Sequence, residues 1–274
     1  MLESFIIMLR EGLEAALIIG IVHAYLKKIG RADLHRHLYA GTALAIAASL
    51  LAGAAFMLAY EGTGEAGPLF EGVSSLIASF VLTYMIFWMT GHARKIAGEL
   101  REKVDMALST GQVAGIVMLA FIAVFREGIE TVLFLGTLAV KAPLDTAAGT
   151  VLGIATVVLL FALMSRGMYM LDIQKLFRYT SILLIIFAAG LAAYGVHELN
   201  EAGIIPPVIE HVWDINPPLN PDGSYPPLHE NGIVGSFLKA LVGYNGNPSL
   251  TEVIAYVGYW VIAGTYLVLT YRRR

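Results

Sequence analysis

Seven long apolar stretches alternate along the chain with polar joints rich in Gly, Pro and charged residues. A helix needs roughly 20 predominantly apolar residues to cross a hydrocarbon core of about 30 Å. The stretches that meet this requirement are Leu2–Leu26, Leu38–Tyr60, Phe70–Gly91, Gln112–Val140, Ala147–Met164, Thr180–His197 and Val253–Thr270. Because a bilayer tolerates only helices and closed barrels, and no stretch has the pattern of a strand, we predict an all-α, polytopic membrane protein with seven transmembrane helices.

Two of these stretches, the first and the fourth, are interrupted by charge at their centres. The first contains LREGLEAALIIG at 9–20, and the fourth contains FREGIETVLFLG at 125–136. An ionisable side chain at the bilayer centre costs about 2.5–3.5 kcal/mol on insertion scales. Two near-copies of one charged motif therefore predict a site inside the protein rather than a surface that faces lipid.

The composition agrees with a membrane protein. Hydrophobic residues make up 57% of the chain and charged residues only 14%, whereas a soluble domain usually has about 25% charged residues. The chain has no cysteine, which excludes disulfides and thiolate metal sites. Its first residues lack the basic segment of a signal peptide, so we expect the first stretch to be a retained span.

The distribution of basic residues predicts the orientation in the membrane. Fourteen of the 18 Lys and Arg residues fall in the first, third and fifth joints and in the C-terminal tail. With seven spans these segments all lie on one side, and Lys and Arg are enriched on the cytoplasmic side of membrane proteins. We therefore expect the N-terminus outside and the C-terminus in the cytoplasm (N-out/C-in).

The charged motifs also indicate an internal repeat within a single transmembrane domain, 1–274. Three spans separate the motifs, so the first span runs inward and the fourth runs outward; the spans that follow share AGTALAIA at 40–47 and AGTVLGIA at 148–155. We predict a 3+3 inverted repeat plus one additional helix, a plan that places transporter sites near the midplane. The parts are repeat A, about 1–92; repeat B, about 111–199; an outer loop, about 198–250; and a final helix, about 251–271.

Carboxylates outnumber guanidinium groups in the two motifs. The predicted metal ligands are Glu11, Glu14, Glu127 and Glu130. The residues predicted to orient them are Arg10 and Arg126, which pair with a glutamate four positions on, and Gly12 and Gly128, which allow close helix approach. Buried salt bridges alone are the plain alternative, but two negative charges remain in surplus, and a dry site would protonate them or bind a cation. Carboxylate oxygens favour hard metal ions, and a proton relay through the same glutamates is a further alternative.

The duplicated R-E-G-x-E motif resembles that of the oxidase-dependent iron permease family, which includes the fungal high-affinity iron permease and the bacterial Efe-type permeases. The similarity extends over VHELNEAGIIP at 196–206 and GSFLKALVGYNGNPS at 235–249, and it is greatest to the bacterial branch. The resemblance implies that the four motif glutamates bind the translocated iron. It also implies an extracytoplasmic partner that oxidises or delivers iron.

Polar residues at the outer ends of two spans are candidates for the first site that an incoming ion meets. His197, Glu198 and Glu201 close the sixth span, and Glu71 lies near the outer start of the third. The resemblance and the i, i+3 spacing of Glu198 and Glu201 favour this role, whereas a helix end bathed in water is the alternative.

Four histidines lie on the basic side of the predicted membrane. They are His23, His35, His37 and His92. Histidines among Lys and Arg are typical of a membrane interface, and ligands at a release site are the alternative. Methionine pairs at helical spacing are common filler in apolar helices and, without cysteine, do not favour copper transport.

We therefore predict an iron permease that imports Fe³⁺ across the bacterial cytoplasmic (inner) membrane through a midplane carboxylate site. Fe³⁺ is favoured because four carboxylates nearly neutralise a small trivalent ion bound by oxygen alone. No cofactor or nucleic acid is expected; the predicted partners are the iron ion, the lipid bilayer and the iron oxidase or delivery protein. The chain has no P-loop and is predicted to be a transporter rather than an enzyme. The alternatives are import of Fe²⁺ or another divalent metal (Mn²⁺ or Pb²⁺) and, more remotely, an intramembrane carboxylate metalloenzyme.

Overall fold

Long α-helices dominate the part of the chain that the structure describes. The computed structural model describes residues 1–92, 96–109, 113–165 and 173–272. These residues form nine α-helices and no strand. The helices are α1 (Leu2–Lys28), α2 (His35–Glu61), α3 (Gly67–His92), α4 (Ile96–Ser109), α5 (Ala114–Lys141), α6 (Pro143–Ser165), α7 (Ile173–Glu201), α8 (Ile233–Val242) and α9 (Leu250–Arg272). Short 3-10 turns at Ala32–Leu34 and Gly64–Ala66 precede α2 and α3.

Each of the seven predicted spans coincides with one long helix: α1, α2, α3, α5, α6, α7 and α9. Of the residues in these spans, only Gln112, the first of the fourth span, lies outside the described part of the chain. Four helices among the described residues, α2, α3, α6 and α7, are long and apolar enough to cross a bilayer. The all-α membrane class is thus confirmed, whereas the number of seven spans, their orientation and the repeat stay predictions.

Two helices lie in segments that the sequence analysis reads as joints. Helix α4 is amphipathic: Leu100 and Val104, one turn apart, are buried, while Arg101 and Lys103 are exposed. Helix α8 lies within the predicted outer loop and ends at Gly243, whose φ of +70° is the left-handed conformation that glycine adopts without strain. Five of the basic residues used to predict the orientation fall outside the described residues: Arg94, Lys95, Arg166, Arg273 and Arg274.

The contacts divide the chain into two units. The first unit consists of Met1, Glu3–Ala59 and Phe87–Phe177, and the second of Leu2, Tyr60–Ile86 and Arg178–Arg274. The first unit contains α1, α2, α4, α5 and α6, and the second contains most of α3 and α7 together with α8 and α9. Each unit takes helices from both predicted repeats. The predicted domain boundaries themselves stay predictions.

The main core of the first unit joins three long helices and α4. Val22 and Leu26 of α1 are packed with Leu38 of α2, Val104 of α4 and Ile116 of α5, and each of these side chains is at most 1% exposed. Between helices in a bilayer such contacts stabilise mainly through van der Waals packing. This core fixes α1 against α2 and α5 on the same side of the two charged motifs.

Glycines allow two pairs of helices in the first unit to approach closely. Helix α1 crosses α6 where a Cβ on Gly12 would lie 2.9 Å from a γ-methyl of Val157. Helix α5 crosses α2 where a Cβ on Gly128 would collide with the hydroxyl of Ser49. Both glycines belong to the charged motifs, so the two motifs lie directly at helix crossings.

In the second unit, α3 and α7 cross through a pair of glycines. A Cβ on Gly72 would lie 2.9 Å from the carbonyl oxygen of Gly195, and a Cβ on Gly195 would lie 3.0 Å from that of Gly72. Further along, Ser79 donates a hydrogen bond of 2.7 Å to the carbonyl oxygen of Ala188, which satisfies the hydroxyl inside an apolar contact. This tight crossing holds the polar residues at the adjoining ends of α3 and α7 close together.

Candidate functional site

The first charged motif, on α1, is buried and internally paired. Arg10 is 1% exposed, and its Nη1 donates to Oε1 of Glu11 over 2.7 Å. Its Nη2 lies 2.9 Å from Oε1 of Glu14, one helical turn further on. A guanidinium presents several donors in a planar fork, which is why one arginine serves two carboxylates here.

The second motif, on α5, has the same residues in a more open arrangement. Arg126 lies 3.2 Å from Oε1 of Glu130 through its Nε, and the Arg126 side chain is 48% exposed. The ring of Trp88 lies beneath the guanidinium, 4.9 Å from ring centroid to Cζ, which is within the range of a cation–π contact. The neighbouring Glu127 is buried and forms no ion pair among the described residues.

Three of the four predicted ligands meet at one point. Ligand oxygens of Glu11, Glu14 and Glu127 all lie within 4.8 Å of one another, so α1 contributes two carboxylates and α5 one. The fourth, Glu130, does not belong to this group of three and is instead paired with Arg126. The structure therefore brings glutamates of both motifs together in a cluster of three carboxylates.

Several carboxylate oxygens of the two motifs are buried without a hydrogen bond from any described residue. They are Oε2 of Glu11, Oε1 of Glu14, Oε2 of Glu127 and Oε2 of Glu130. The Glu14 oxygen is 2.9 Å from Nη2 of Arg10, an ion pair without the geometry of a hydrogen bond. Leaving a buried polar atom unsatisfied costs about 1–3 kcal/mol, and more for a charged group. Oxygens that no donor of the described chain satisfies are suited to a cation, because a cation supplies the missing positive partner.

A cavity of about 900 Å³ lies beside the carboxylates within the first unit. Its lining includes Glu11 and Gly12 of α1 and Glu127 and Gly128 of α5, and α2 and α6 complete its walls. Most of the other lining side chains are apolar. In such surroundings an electrostatic attraction between a cation and the carboxylates is stronger than it would be in water.

The polar residues predicted at the outer ends of spans lie together in the second unit. Glu71 accepts hydrogen bonds from the hydroxyls of Tyr60, over 3.0 Å, and Tyr194, over 2.6 Å. The Tyr194 hydroxyl also bonds to Glu198, which is 8% exposed. The Nε2 of His197 lies 3.4 Å from Oε1 of Glu201. Glu71, His197, Glu198 and Glu201 thus form part of one hydrogen-bonded and charged region, the outer cluster.

Sequence reasoning missed Glu252, a further member of the outer cluster. This glutamate lies in the first turn of α9, is 6% exposed and binds Nδ1 of His197 through Oε1 over 3.2 Å. Its Oε2 accepts a bond of 2.7 Å from Asn245, and the backbone N–H of Ser249 donates to Oε1. The sequence contains one signal of its importance, because Glu252 is the only acidic residue within the predicted final helix, about 251–271.

Comparison with known proteins identifies the family of the chain. The sequence profile of the Iron permease FTR1 family matches residues 1–274. The chain belongs to the Iron permease FTR1 family. The resemblance noted in the two R-E-G-x-E motifs is therefore confirmed.

Individual FTR1-family relatives are similar over nearly their whole length. The ferrous iron permease EfeU of Escherichia coli O6:K15:H31 is 35% identical over 276 residues, which cover 98% of this chain and 96% of the relative. The ferrous iron permease EfeU of Yersinia pestis is 32% identical over 270 residues, 96% of this chain and 92% of the relative. An uncharacterized protein of Archaeoglobus fulgidus is 39% identical over 264 residues, 94% of this chain and 91% of the relative. No solved structure matches the chain.

Membership of the FTR1 family supports iron uptake and a transporter rather than an enzyme. Together with the apolar helices it also supports a multi-pass membrane protein. The relatives' names refer to ferrous iron, whereas the sequence analysis favours the ferric ion. The choice between the two ions depends on the ligands that the site offers.

Proposed function

We propose that this FTR1-family protein imports Fe²⁺ and that Glu11, Glu14 and Glu127 hold the ion partway across the membrane. The observation that carries the proposal is the meeting of these three carboxylates, from two helices, within 4.8 Å. Unsatisfied buried oxygens on Glu11 and Glu127 support an ion as their partner. Carboxylate oxygens are suitable ligands for Fe²⁺.

Charge balance favours the divalent ion over the trivalent one. The expectation of Fe³⁺ relied on four carboxylates around the ion, but three converge, and Arg10 pairs with two of them. Three carboxylates and one guanidinium have a net charge of −2, which a divalent cation neutralises. The names of the relatives, which refer to ferrous iron, agree with this choice. Mn²⁺ and Pb²⁺ have the same charge and remain candidate competitors.

Glu130 is proposed to join the ion in another step of transport. It is paired with Arg126, whose side chain is half exposed and therefore free to change partners more readily than the buried Arg10. If Arg126 turned away, Oε1 of Glu130 would become available for the ion. Glu130 is three residues after Glu127, so the two side chains lie on the same face of α5. Arg126 would then control how many carboxylates face the ion.

The helix crossings support the proposed inverted repeat. Arg10 and Arg126 are 116 positions apart, and Ala40 and Ala148, at the start of the two AGT segments, are 108 apart. With these two shifts the contact of Gly12 with Val157 corresponds to the contact of Gly128 with Ser49.

A second pair of contacts obeys the same correspondence. A Cβ on Gly41 of α2 would lie 3.0 Å from Cβ of Ala120 on α5, and a Cβ on Gly149 of α6 would collide with the hydroxyl of Ser4 on α1. Gly41 corresponds to Gly149 and Ser4 to Ala120 under the shifts of 108 and 116. Matching crossings of this kind are expected when two halves share a fold, and the offset of three spans from the first motif to the second makes the halves inverted. We infer a seven-span, N-out/C-in permease of the cytoplasmic membrane whose halves move to expose the ion to either side.

The outer cluster is proposed to be the first site that iron meets. Glu71, Glu198 and Glu201 supply carboxylates, and His197 is held by Glu201 and Glu252. An excess of acidic groups raises the local concentration of cations. An extracytoplasmic protein that delivers iron to this cluster stays part of the proposal.

Iron uptake into proteoliposomes tests the carboxylate site. The full chain and its Glu11→Gln, Glu14→Gln and Glu127→Gln variants are reconstituted, and uptake of radioactive iron is measured with the ion kept ferrous by ascorbate and, separately, as ferric citrate. We expect uptake of ferrous iron by the parent and strongly reduced uptake by each variant. Glu210→Gln, the same change at an exposed position of the outer loop, is the control and should transport like the parent. Normal uptake in all three variants would refute the site, and uptake of ferric iron alone would refute the choice of ion.

A further inference from the structure

Helix α8 ends beside the middle of α7 rather than beside its end. A Cβ on Gly190 of α7 would lie 3.2 Å from Cα of Gly243, the residue that caps α8. Gly190 is 11 residues before Glu201, the last residue of α7, so it lies about 16 Å from the end of α7 that carries the outer cluster. Helix α7 is long and apolar enough to cross a bilayer. With its 29 residues, about 43 Å, centred on a hydrocarbon core of about 30 Å, the contact with Gly243 falls inside the core.

The segment that follows α8 returns along α7 toward the outer cluster. Ser249, six residues after Gly243, donates a hydrogen bond of 2.8 Å from its hydroxyl to Oδ1 of Asn200. Asn200 is ten residues, or about 15 Å, further along α7 than Gly190. Six residues of extended chain span up to about 20 Å, so the segment 243–249 is long enough to cover this distance.

Helix α8 itself begins closer to the outer cluster than it ends. Glu230, three residues before α8, accepts a hydrogen bond of 3.2 Å from the backbone N–H of Gly246, which is halfway along the returning segment. The helix therefore runs obliquely inward to Gly243, and the segment 243–249 runs outward again. Together they form a hairpin, 233–249, that enters and leaves on the same side; we call it the α8 hairpin.

The non-helical arm of the α8 hairpin has paired backbone groups, as a hydrocarbon core requires. The carbonyl oxygen of Gly246 accepts a bond of 2.9 Å from the N–H of Ile215. That of Pro248 accepts a bond of 3.0 Å from the N–H of Val212. Both Gly246 and Pro248 are buried. Irregular backbone is tolerated at membrane depth where it is buried in protein and its polar groups are satisfied there.

The exposed face of α8 is apolar. Ile233 is 88% exposed, Val234 41% and Phe237 52%, and their positions fall on one side of the helix. On the opposite side Gly235 is buried, and a Cβ there would collide with the carbonyl oxygen of His229. Acyl chains can cover an exposed apolar face of this kind without the loss of any hydrogen bond.

The one charged residue of α8 extends toward the start of the helix. Lys239 lies in the last turn of α8, yet its Nζ reaches back to within 3.9 Å of Oε1 of Glu230, which precedes the helix. Lysine side chains that start inside a membrane extend in this way and hold the ammonium group at the polar surface. The position of the Lys239 charge thus agrees with an inward course of α8.

We propose that the α8 hairpin is re-entrant and that Ile233, Val234 and Phe237 contact the acyl chains of the leaflet next to the outer cluster. Lipid covers this face rather than a soluble protein, because α8 ends inside the core and the three side chains are hydrocarbon alone. Within the hairpin Asn245 binds Glu252 of the outer cluster over 2.7 Å, so the lipid contact sets the depth of that cluster in the membrane. The proposal rests on α7 as a span and does not depend on the ion that the protein transports.

Fluorescence quenching at single cysteines tests the lipid contact, because the chain has no cysteine of its own. Ile233→Cys and Phe237→Cys are labelled with an environment-sensitive fluorophore and placed, one chain per disc, in nanodiscs of phosphatidylcholine and phosphatidylglycerol. Phe80→Cys, at a 72% exposed phenylalanine of the apolar helix α3, is the lipid-facing control. Glu210→Cys, at an exposed position of the outer loop, is the water-facing control. Phosphatidylcholine with a nitroxide on an acyl chain quenches from the lipid, and iodide quenches from water.

We expect both α8 labels to behave like the label at position 80, with strong quenching by the nitroxide lipid and a loss of the iodide quenching seen at position 210. Quenching of both by iodide alone would overturn the lipid contact and leave a face open to a soluble protein. Protection from both quenchers would overturn it too, because another part of the same chain would then cover the face. Since Ile233 is 88% exposed, its replacement removes little packing and keeps the test available should Phe237→Cys fail to insert.

The depth of the two labels tests the inward course of α8. Ile233 and Phe237 are one turn, about 6 Å, apart along the helix. The quenching lipids carry the nitroxide either near the headgroup or at the middle of the acyl chain. The ratio of mid-chain to headgroup quenching should be higher for Phe237→Cys than for Ile233→Cys. An equal ratio at both positions would overturn the re-entrant course and show that α8 lies flat at the membrane surface.

Discussion

The two R-E-G-x-E motifs have the same charged residues but opposite surroundings. On α1, Arg10 is buried and binds both glutamates of its own motif, at 2.7 and 2.9 Å. On α5, Arg126 is half exposed and, among the described residues, forms an ion pair with Glu130 alone, at 3.2 Å, while Glu127 lies with Glu11 and Glu14. The arginine of the α1 motif thus pairs with both glutamates of its motif, whereas the arginine of the α5 motif pairs with one glutamate and the other lies with Glu11 and Glu14.

This difference shows that the helix neighbours, and not the motif, determine what each carboxylate does. Because Arg10 is buried, its charge must be balanced by acidic side chains in direct contact with it. Arg126 has the Trp88 ring on one side and open space on the other, so it does not need both glutamates. We infer that the α1 motif is the fixed part of the site and the α5 motif the part that changes during transport.

Removal of the arginines should have the largest effect, and an unequal one. Arg10→Met leaves Glu11 and Glu14 buried without their counter-ion, and loss of one partner of a buried pair costs about 3–5 kcal/mol. Arg126→Met should cost clearly less, because its side chain is half exposed. Unfolding of both variants by denaturant in detergent micelles measures the difference. Equal losses of stability would show that the two motifs are equally buried in the working protein.

Neutral variants of the α5 glutamates should distinguish Glu127, proposed to bind the ion in this arrangement, from Glu130, proposed to bind it in another step of transport. Glu127→Gln removes an oxygen of the cluster and should reduce ferrous iron uptake by more than the 10- to 100-fold typical of a lost orienting group. Glu130→Gln, with the same chemical change one turn along, should reduce uptake less and should leave ion binding at equilibrium nearly parental. Uptake and Co²⁺ binding measured on the same preparations test this. A larger defect in Glu130→Gln would reverse the two assignments.

Alanine at the motif glycines should be worse on α5 than on α1. A Cβ at position 128 collides with the Ser49 side chain, which is hydrogen-bonded to the backbone of its own helix, whereas a Cβ at position 12 meets a methyl group of Val157. Overpacking of this kind costs about 1–3 kcal/mol. Gly128→Ala should therefore unfold at lower denaturant concentration than Gly12→Ala.

A second-site change provides the control for the glycine prediction. Ser49→Gly should restore much of the stability of Gly128→Ala and none of that of Gly12→Ala, because it removes only the atoms in conflict at the α2–α5 crossing. Rescue of both variants, or of neither, would mean that the defect does not arise at this crossing.

The smallest effect is expected at Trp88. Trp88→Leu removes the cation–π contact with Arg126, which is worth about 0.5–2 kcal/mol, and leaves the α1 motif untouched. In the background of Arg126→Met the same change should cost less, and a double-mutant cycle measures the difference. Full additivity of the two substitutions would show that the ring does not stabilise the guanidinium.

The spans and the charged motifs follow from the sequence because both are local signals. A run of about 20 apolar residues requires no partner to be recognised, and a charge in such a run requires an explanation wherever the helix lies. The pairing of Arg10 with Glu14 likewise follows from their spacing on one helix.

The parts that sequence analysis missed depend on contacts between distant segments. The guanidinium of Arg126 contacts the ring of Trp88, which is 38 positions away, and nothing in the α5 motif predicts this contact. The spacing of Glu130 from Glu127 repeats that of Glu14 from Glu11 and predicts an equal ligand, which stays a prediction. The structure pairs Glu130 with Arg126 and places it outside the group of three. Helix α4 lacks a long apolar run, and only its burial of Leu100 and Val104 reveals it.

Glu252 connects the final helix, α9, to other segments of the second unit through hydrogen bonds. Its two carboxylate oxygens bind His197 of α7, the side chain of Asn245 and the backbone of Ser249, so a single residue connects α7, α9 and the segment that precedes α9. A protein truncated before α9 would lose these hydrogen bonds together with the helix. The last helix therefore also fixes the position of the His197 side chain, 55 residues before Glu252 in the sequence.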